Sequence, residues 1–201
     1  MKQRFTPSRR RAGFTLIEIV IALTILVMVS ANILMVTRST SKAYDSGASM
    51  SALDMQLGRT MDRIVLAVMA ARKESLDPAN PMPLWSPHLT FDQSKGYEDG
   101  VEVVGDMERI ELVAGPEQIV WKQRPGAADE RKVVWTNWVR EYFKDEVNNG
   151  LDDDLNGLTD ESGLSFTLDG NCVTIRLTLE REGPGHTILK RTQETTVTCR
   201  N

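Results

Sequence analysis

Arg9-Arg10-Arg11-Ala12-Gly13-Phe14-Thr15-Leu16-Ile17-Glu18 leads into an apolar run that continues to Val36, and the rest of the chain is organised around this stretch. Of the 23 residues 14–36, Glu18 alone is ionisable, and Thr15, Thr24, Ser30 and Asn32 are the clearly polar others. About 20 apolar residues at a rise of ~1.5 Å are enough to cross the hydrocarbon core of a bilayer as a helix. Before them stand Lys2, Arg4, Arg9, Arg10 and Arg11, with no acid among them. Basic residues resist translocation, so this end is expected to stay in the cytoplasm and the C-terminal part to lie outside.

Two details separate the stretch from a cleaved secretory signal. Such a signal has a shorter apolar core followed by small residues at the cut. Here the small pair, Ala12-Gly13, precedes the apolar run. Cutting there would leave the membrane segment on the mature protein. The second detail is Glu18. An acid in a spanning helix costs a few kcal/mol, so it marks a function and needs a partner.

Gly13-Phe14-Thr15-Leu16-Ile17-Glu18 resembles the cleavage and methylation motif of type IV pilins and pseudopilins. The resemblance implies cleavage after Gly13 by a membrane prepilin peptidase and N-methylation of the new Phe14 amine. It implies that the Glu18 carboxylate pairs with the terminal amine of a neighbouring subunit during filament assembly. Two buried opposite charges are tolerable only as a pair, which agrees with that role. The plainer alternative is a signal anchor with a stray Glu.

Composition suits one modest domain plus an anchor: 201 residues, 41% hydrophobic and 26% charged. Loss of residues 1–13 lowers Lys+Arg from 24 to 19 against 28 acids, moving the formal charge from −4 to −9. An acidic mature domain has no electrostatic reason to bind nucleic acid. Cys172 and Cys199 both fall near the C-terminus. In an exported domain a lone pair reads as a disulfide, with two reduced thiols as the alternative. A hairpin centred between Gly185 and His186 would set the two cysteines opposite each other. That register also sets Val173, Ile175 and Leu177 against Thr198, Thr196 and Glu194, so a bulge or a slipped register is expected.

Beyond a possible weak point at Ser46-Gly47, Met50, Leu53, Leu57, Met61, Ile64, Val65, Val68 and Met69 recur at helical steps. The pattern predicts an amphipathic continuation over 37–76, ended by Asp77-Pro78 and by Pro81 and Pro83. Residues 80–100 read as an irregular loop anchored by aromatic side chains, Trp85 and Phe91 among them. His88 and His186 have no visible companion in sequence and are expected to have no special role. Strands are predicted at 101–104, 109–113, 118–123, 132–143, 163–168, 171–181 and 187–199, within a β-rich extracytoplasmic domain covering 77–201. The assembled picture follows from the resemblance. It is an α+β, pilin-like fold, with one long N-terminal helix whose second half packs on antiparallel sheet.

The stretch 145–161 holds seven acids in seventeen residues. Asp152, Asp154 and Asn156 followed by Gly157 reproduce the first half of a calcium loop, D-x-[DN]-x-[DN]-G. Alternate oxygen-bearing side chains converge on one centre, the glycine permits the sharp turn, and the Leu158 carbonyl can add a ligand. Asp160 occupies a ninth-position ligand's place. Position twelve is Gly163, so this is no EF-hand, and Asp160 or Glu161 would have to complete a Ca2+ shell. A solvated Asn-Gly turn with incidental acids is the alternative.

Among filament proteins, the length, the short strands, the late cysteines and the acidic loop look most like a minor pseudopilin of type II secretion, the J-type subunit. A minor pilin of a type IV pilus is the competing reading, and other pilin or pseudopilin subunits would be the partners. An anchored extracytoplasmic enzyme is a third: the chain has no G-x-S-x-G, no H-E-x-x-H and no cysteine with a histidine nearby. The resemblance places the anchor in the inner membrane, with the C-terminal domain in the periplasm.

Overall fold

The computed structural model describes residues 13–79 and 84–199. The basic leader 1–12, Pro81 and Pro83 lie outside them. The chain divides into two units, 1–45 and 46–201. Helix α1, Leu16–Met69, contributes to both, and each unit is described on its own.

In the first unit the described part is helix from Leu16 onward with an apolar surface all round. Ile19, Val20, Ile21, Leu23, Ile25 and Leu26 are all at least half exposed. The window that is apolar enough to cross a membrane buries nothing against the protein, and it is unique among the described residues. A helix hydrophobic on every side wants lipid or other helices around it. Thr24, Asn32 and Thr37 stay compatible by giving their polar hydrogens to helix carbonyls at Ile21, Met28 and Ile33.

In the second unit most of the expected stripe is buried, while Met50 and Val65 are half-buried and Met69, the last helical residue, is exposed. Leu53, Leu57, Met61, Ile64 and Val68 are all buried. At about 2 kcal/mol for each buried side chain, this face contributes roughly 10 kcal/mol toward holding helix against sheet. The helix ends at Met69, short of the expected Leu76. Competition from a strand explains the difference. Arg72 gives its amide hydrogen to the Asp92 carbonyl (2.9 Å), and Asp77 and Thr90 exchange both backbone bonds (2.9 and 2.8 Å). Residues 71–77 therefore run beside the sheet, with one 3₁₀ turn at Lys73–Ser75.

That sheet begins where the sequence suggested irregular loop. Strand β1, His88–Glu98, pairs with β2, Val101–Val113, through the two-residue turn Asp99-Gly100, both at positive φ (49° and 79°). Such a turn matches the natural twist of a hairpin. The aromatic anchors are present: Phe91 is buried, and Trp85 donates its indole hydrogen to the Thr159 carbonyl at 2.8 Å. The two strands expected at 101–104 and 109–113 are one, because Gly105 serves close packing instead of a turn. A Cβ there would lie 3.2 Å from the Gln93 carbonyl oxygen. Strands β3, Gln118–Gln123, and β4, Arg131–Thr136, complete an antiparallel sheet in the order β1-β2-β3-β4. Strand β4 stops at Thr136, and the rest of the expected 132–143 strand makes only isolated bridges, Val139 to Leu179 and Tyr142 to Ser162.

The second antiparallel sheet is β5-β6-β7, formed by Leu164–Asp169, Cys172–Glu182 and Ile188–Thr198. In β6, Val173, Ile175, Leu177 and Leu179 face the core as their alternation requires. The slipped register is found. Cys172 pairs with Thr198 and Val173 with Val197, one residue away from cysteine facing cysteine. The slip sets valine on valine inside and Thr174 on Thr196 outside, where the hydroxyls meet at 3.0 Å. Both thiols are free in this structure. Cys199 is buried, and that burial, helped by the nearby Cys172, pushes its thiol up to about 11.

One outer strand of each sheet is tied to one turn of α1. Gln56 donates to the Trp135 carbonyl of β4 at 3.0 Å, and Arg191 of β7 meets Asp54 at 2.7 Å.

Candidate functional sites

At the start of α1, Thr15 and Glu18 form a reciprocal cap. The Thr15 amide and hydroxyl both donate to Glu18 Oε2 at 2.8 Å, and the Glu18 amide donates back to Thr15 Oγ1 at 3.3 Å. This is a capping box, which satisfies two amides that a helix start otherwise leaves bare. Gly13 and Phe14 are exposed beside it, Phe14 at 85%. Glu18 thus has a partner inside its own chain, which the sequence reading overlooked. The signal was present as Thr15-x-x-Glu18. The cap occupies one carboxylate oxygen, and among the described residues nothing donates to the other.

The acidic loop is organised by a residue that the calcium-loop spacing did not include. Glu146 is fully buried. Its Oε1 accepts the amides of Asp153 (2.9 Å) and Asp154 (3.1 Å), and its Oε2 that of Asp160 (3.0 Å). A buried carboxylate without a bonded cation persists when several N–H groups converge on it. Lys144 Nζ reaches Asp154, whose side chain is nearly buried, at 3.4 Å.

The expected ligands divide into groups. Asp152 and Asp154 come together with Glu146, each offering an oxygen within 4.8 Å of the others. Asn156 donates its side-chain amide to both Glu161 oxygens, at 3.0 and 3.1 Å. Asp160 accepts the amides of Asn149 and Gly150 at 3.0–3.1 Å. Leu158 gives its amide to Asn156 Oδ1 at 2.8 Å. Asp152 binds the amides of Asn156 and Gly157 at 3.1 and 2.7 Å. Among the carboxylates of the sequence-derived set, Asp152 and Asp154 share one centre. Three carboxylates there make an all-oxygen donor set, the chemistry that suits a hard divalent cation.

Gly163, at the place of an EF-hand's closing Glu, has a packing reason to be glycine: a Cβ would fall 1.8 Å from the Arg140 carbonyl oxygen. Burial pushes the Glu161 carboxyl up to about 6 from 4.5, against the lowering effects of Asn156 and Arg176. The folded state therefore holds this proton more tightly than the unfolded chain does. The stability it contributes is full below about 4.5 and is lost as pH rises through about 6.

The histidines join neither site. His88 lies against Ser86, and His186 meets Glu182 in the β6–β7 loop.

The model of the prokaryotic N-terminal methylation motif matches residues 8–31, the stretch that contains Gly13, Phe14, Thr15 and Glu18. No curated protein and no solved structure matches the chain. The motif supports a pilin- or pseudopilin-type subunit, with the processing by prepilin peptidase and the subunit assembly that such a motif implies.

Proposed function

We propose that the chain is a minor, non-enzymatic subunit of a pilus-like filament, anchored in the inner membrane with its β-rich domain in the periplasm. The J-type subunit of type II secretion is the reading favoured within that class. The observation that carries the proposal is the methylation motif running into a helix that is apolar on every face. Such a helix can wait in a bilayer and later exchange lipid for the helices of other subunits. The capped Glu18 at its start offers a carboxylate oxygen to an incoming amine. A minor pilin of a type IV pilus would use the same parts, and co-purification with a secretion apparatus or with surface pili separates the two. N-terminal sequencing of protein recovered from membranes tests the proposal. It should read methyl-phenylalanine at Phe14, and a start at Met1 or beyond Val36 would overturn it.

We also propose that the acidic loop takes one Ca2+ at Glu146, Asp152 and Asp154. Asp160 and Glu161 lie close by in sequence to supply further oxygens after rearrangement. An affinity of order 10⁻⁴–10⁻³ M is typical of extracellular modules. At ten times the dissociation constant, such a site would stabilise the domain by about 1.4 kcal/mol. For a domain of this size that is a rise of about 3–6 °C in melting temperature. Full-length protein in detergent, melted with millimolar calcium and then with chelator, measures it. Equal melting temperatures would remove the calcium site.

A further inference from the structure

Between α1 and strands β2, β3 and β4, an open trough of about 480 Å³ is lined by Arg63, Leu66, Trp121, Val133 and Trp135, with Glu108 among its walls. We propose that this trough receives a lysine or arginine side chain from a neighbouring filament subunit. The proposal rests on the filament reading above for the source of that side chain.

Pairing explains how the trough is built. Trp121 stands opposite Ile110 and Val133, and Glu108 follows Ile110 on the same face at a spacing of two. Ile110 is fully buried, so this face looks toward the helix. Glu108 is therefore drawn into the protein and is only 7% exposed. Its Oε2 accepts the Trp121 indole hydrogen at 2.7 Å. No lysine or arginine comes within salt-bridge reach of it among the described residues. Burial raises its carboxyl above the ordinary value, although Trp121, Gln93 and the more distant Lys95 each lower it. A buried carboxylate in this position is short of positive charge.

The walls select the rest of the ligand. Leu66 and Val133 are exposed at 67% and 45%, giving apolar surface where a partner would approach. A long basic side chain lays its methylenes on such surface and carries its charge to the end. Indoles attract cations through their faces. Acid below, indoles beside it and an aliphatic rim together match Lys or Arg better than an apolar or acidic group. Arg63 also lines the trough but is exposed and, among the described residues, has no acidic partner at salt-bridge distance, and its charge is not among those acting on Glu108.

The test uses full-length protein in its own membrane with its co-assembling subunits. A photo-reactive benzoyl-phenylalanine replaces Val133, and the cross-linked peptide is identified by mass spectrometry. A peptide from another subunit with Lys or Arg at the joined site is expected. Glu108→Gln keeps the shape and the acceptor for Trp121 but removes the charge, and should lower cross-link yield about fivefold or more. Replacing the basic residue identified in the partner by Gln, with this chain unchanged, should lower the cross-link in the same direction, which covers the case of a misfolded variant. A cross-link confined to the protein's own Arg63, no cross-link, or a yield unmoved by both substitutions overturns the proposal. Glu18→Gln in the same strain separates the two readings. If it abolishes cross-linking while Glu108→Gln does not, the trough proposal alone fails. If the wild-type chain is itself missing from purified filaments, the filament reading fails and the trough proposal with it.

Discussion

Glu18→Ala should reduce incorporation into filaments by about two orders of magnitude while the β-rich domain stays folded. Removing one partner of a buried ion pair leaves the other charge uncompensated, at about 3–5 kcal/mol, and each 1.4 kcal/mol is a factor of ten. The uncompensated charge would be the Phe14 amine of the neighbouring subunit. Alanine also removes the cap on Thr15, so it confounds two effects. Glu18→Gln resolves them, because glutamine serves equally in a capping box but carries no charge. Both variants should remain in the membrane at wild-type levels and be missing from sheared or purified filaments. If the glutamine variant assembles normally, helix capping is the residue's whole role and the ion-pair mechanism fails.

Glu146→Ala should be the most damaging substitution in the acidic loop, lowering stability by about 3–5 kcal/mol. Three amides, of Asp153, Asp154 and Asp160, lose the acceptor they have among the described residues. Each buried donor left unpaired costs about 1–3 kcal/mol, with water entry reducing the sum. The melting temperature should fall by about 10 °C or more. Asp153→Ala, by contrast, removes an exposed acid bonded to Asn149 and Val147 and should change it by about 1 °C or less. Thermal melting in chelator compares the two without a metal contribution. Equal effects would mean that Glu146 does not organise the loop.

The long helix, its membrane half and the burial of Leu53, Leu57, Met61, Ile64 and Val68 were legible because periodicity is local and covers many turns. Strand β1 was not legible. His88–Glu98 is preceded by prolines and ends in polar residues, and it is a strand because β2 on one side and residues 71–77 on the other supply hydrogen bonds. The same distant bonds ended α1 at Met69, several residues before the proline that local rules chose. In the acidic loop, spacing found Asp152 and Asp154 because both obey a local repeat. Glu146 escaped because it reaches the centre from outside that repeat, brought back by the fold around Phe143 and Glu161, whose backbones bond at 2.8 Å. Glu18 stands out in sequence as a lone charge in an apolar run, whereas the Thr15 cap becomes visible only once the helix start is fixed at Leu16.

The bonds from Gln56 to Trp135 and from Asp54 to Arg191 have a mechanical meaning. They tie one outer strand of each sheet to positions 54 and 56 of one helical turn, so residues 46–69 serve as a common spindle. Peeling the spindle away frees one margin of each sheet and uncovers the core side chains that Leu53, Leu57, Met61, Ile64 and Val68 pack against. Partial loosening is therefore penalised from two directions at once. The second unit should hold its form under load until it gives way as a whole.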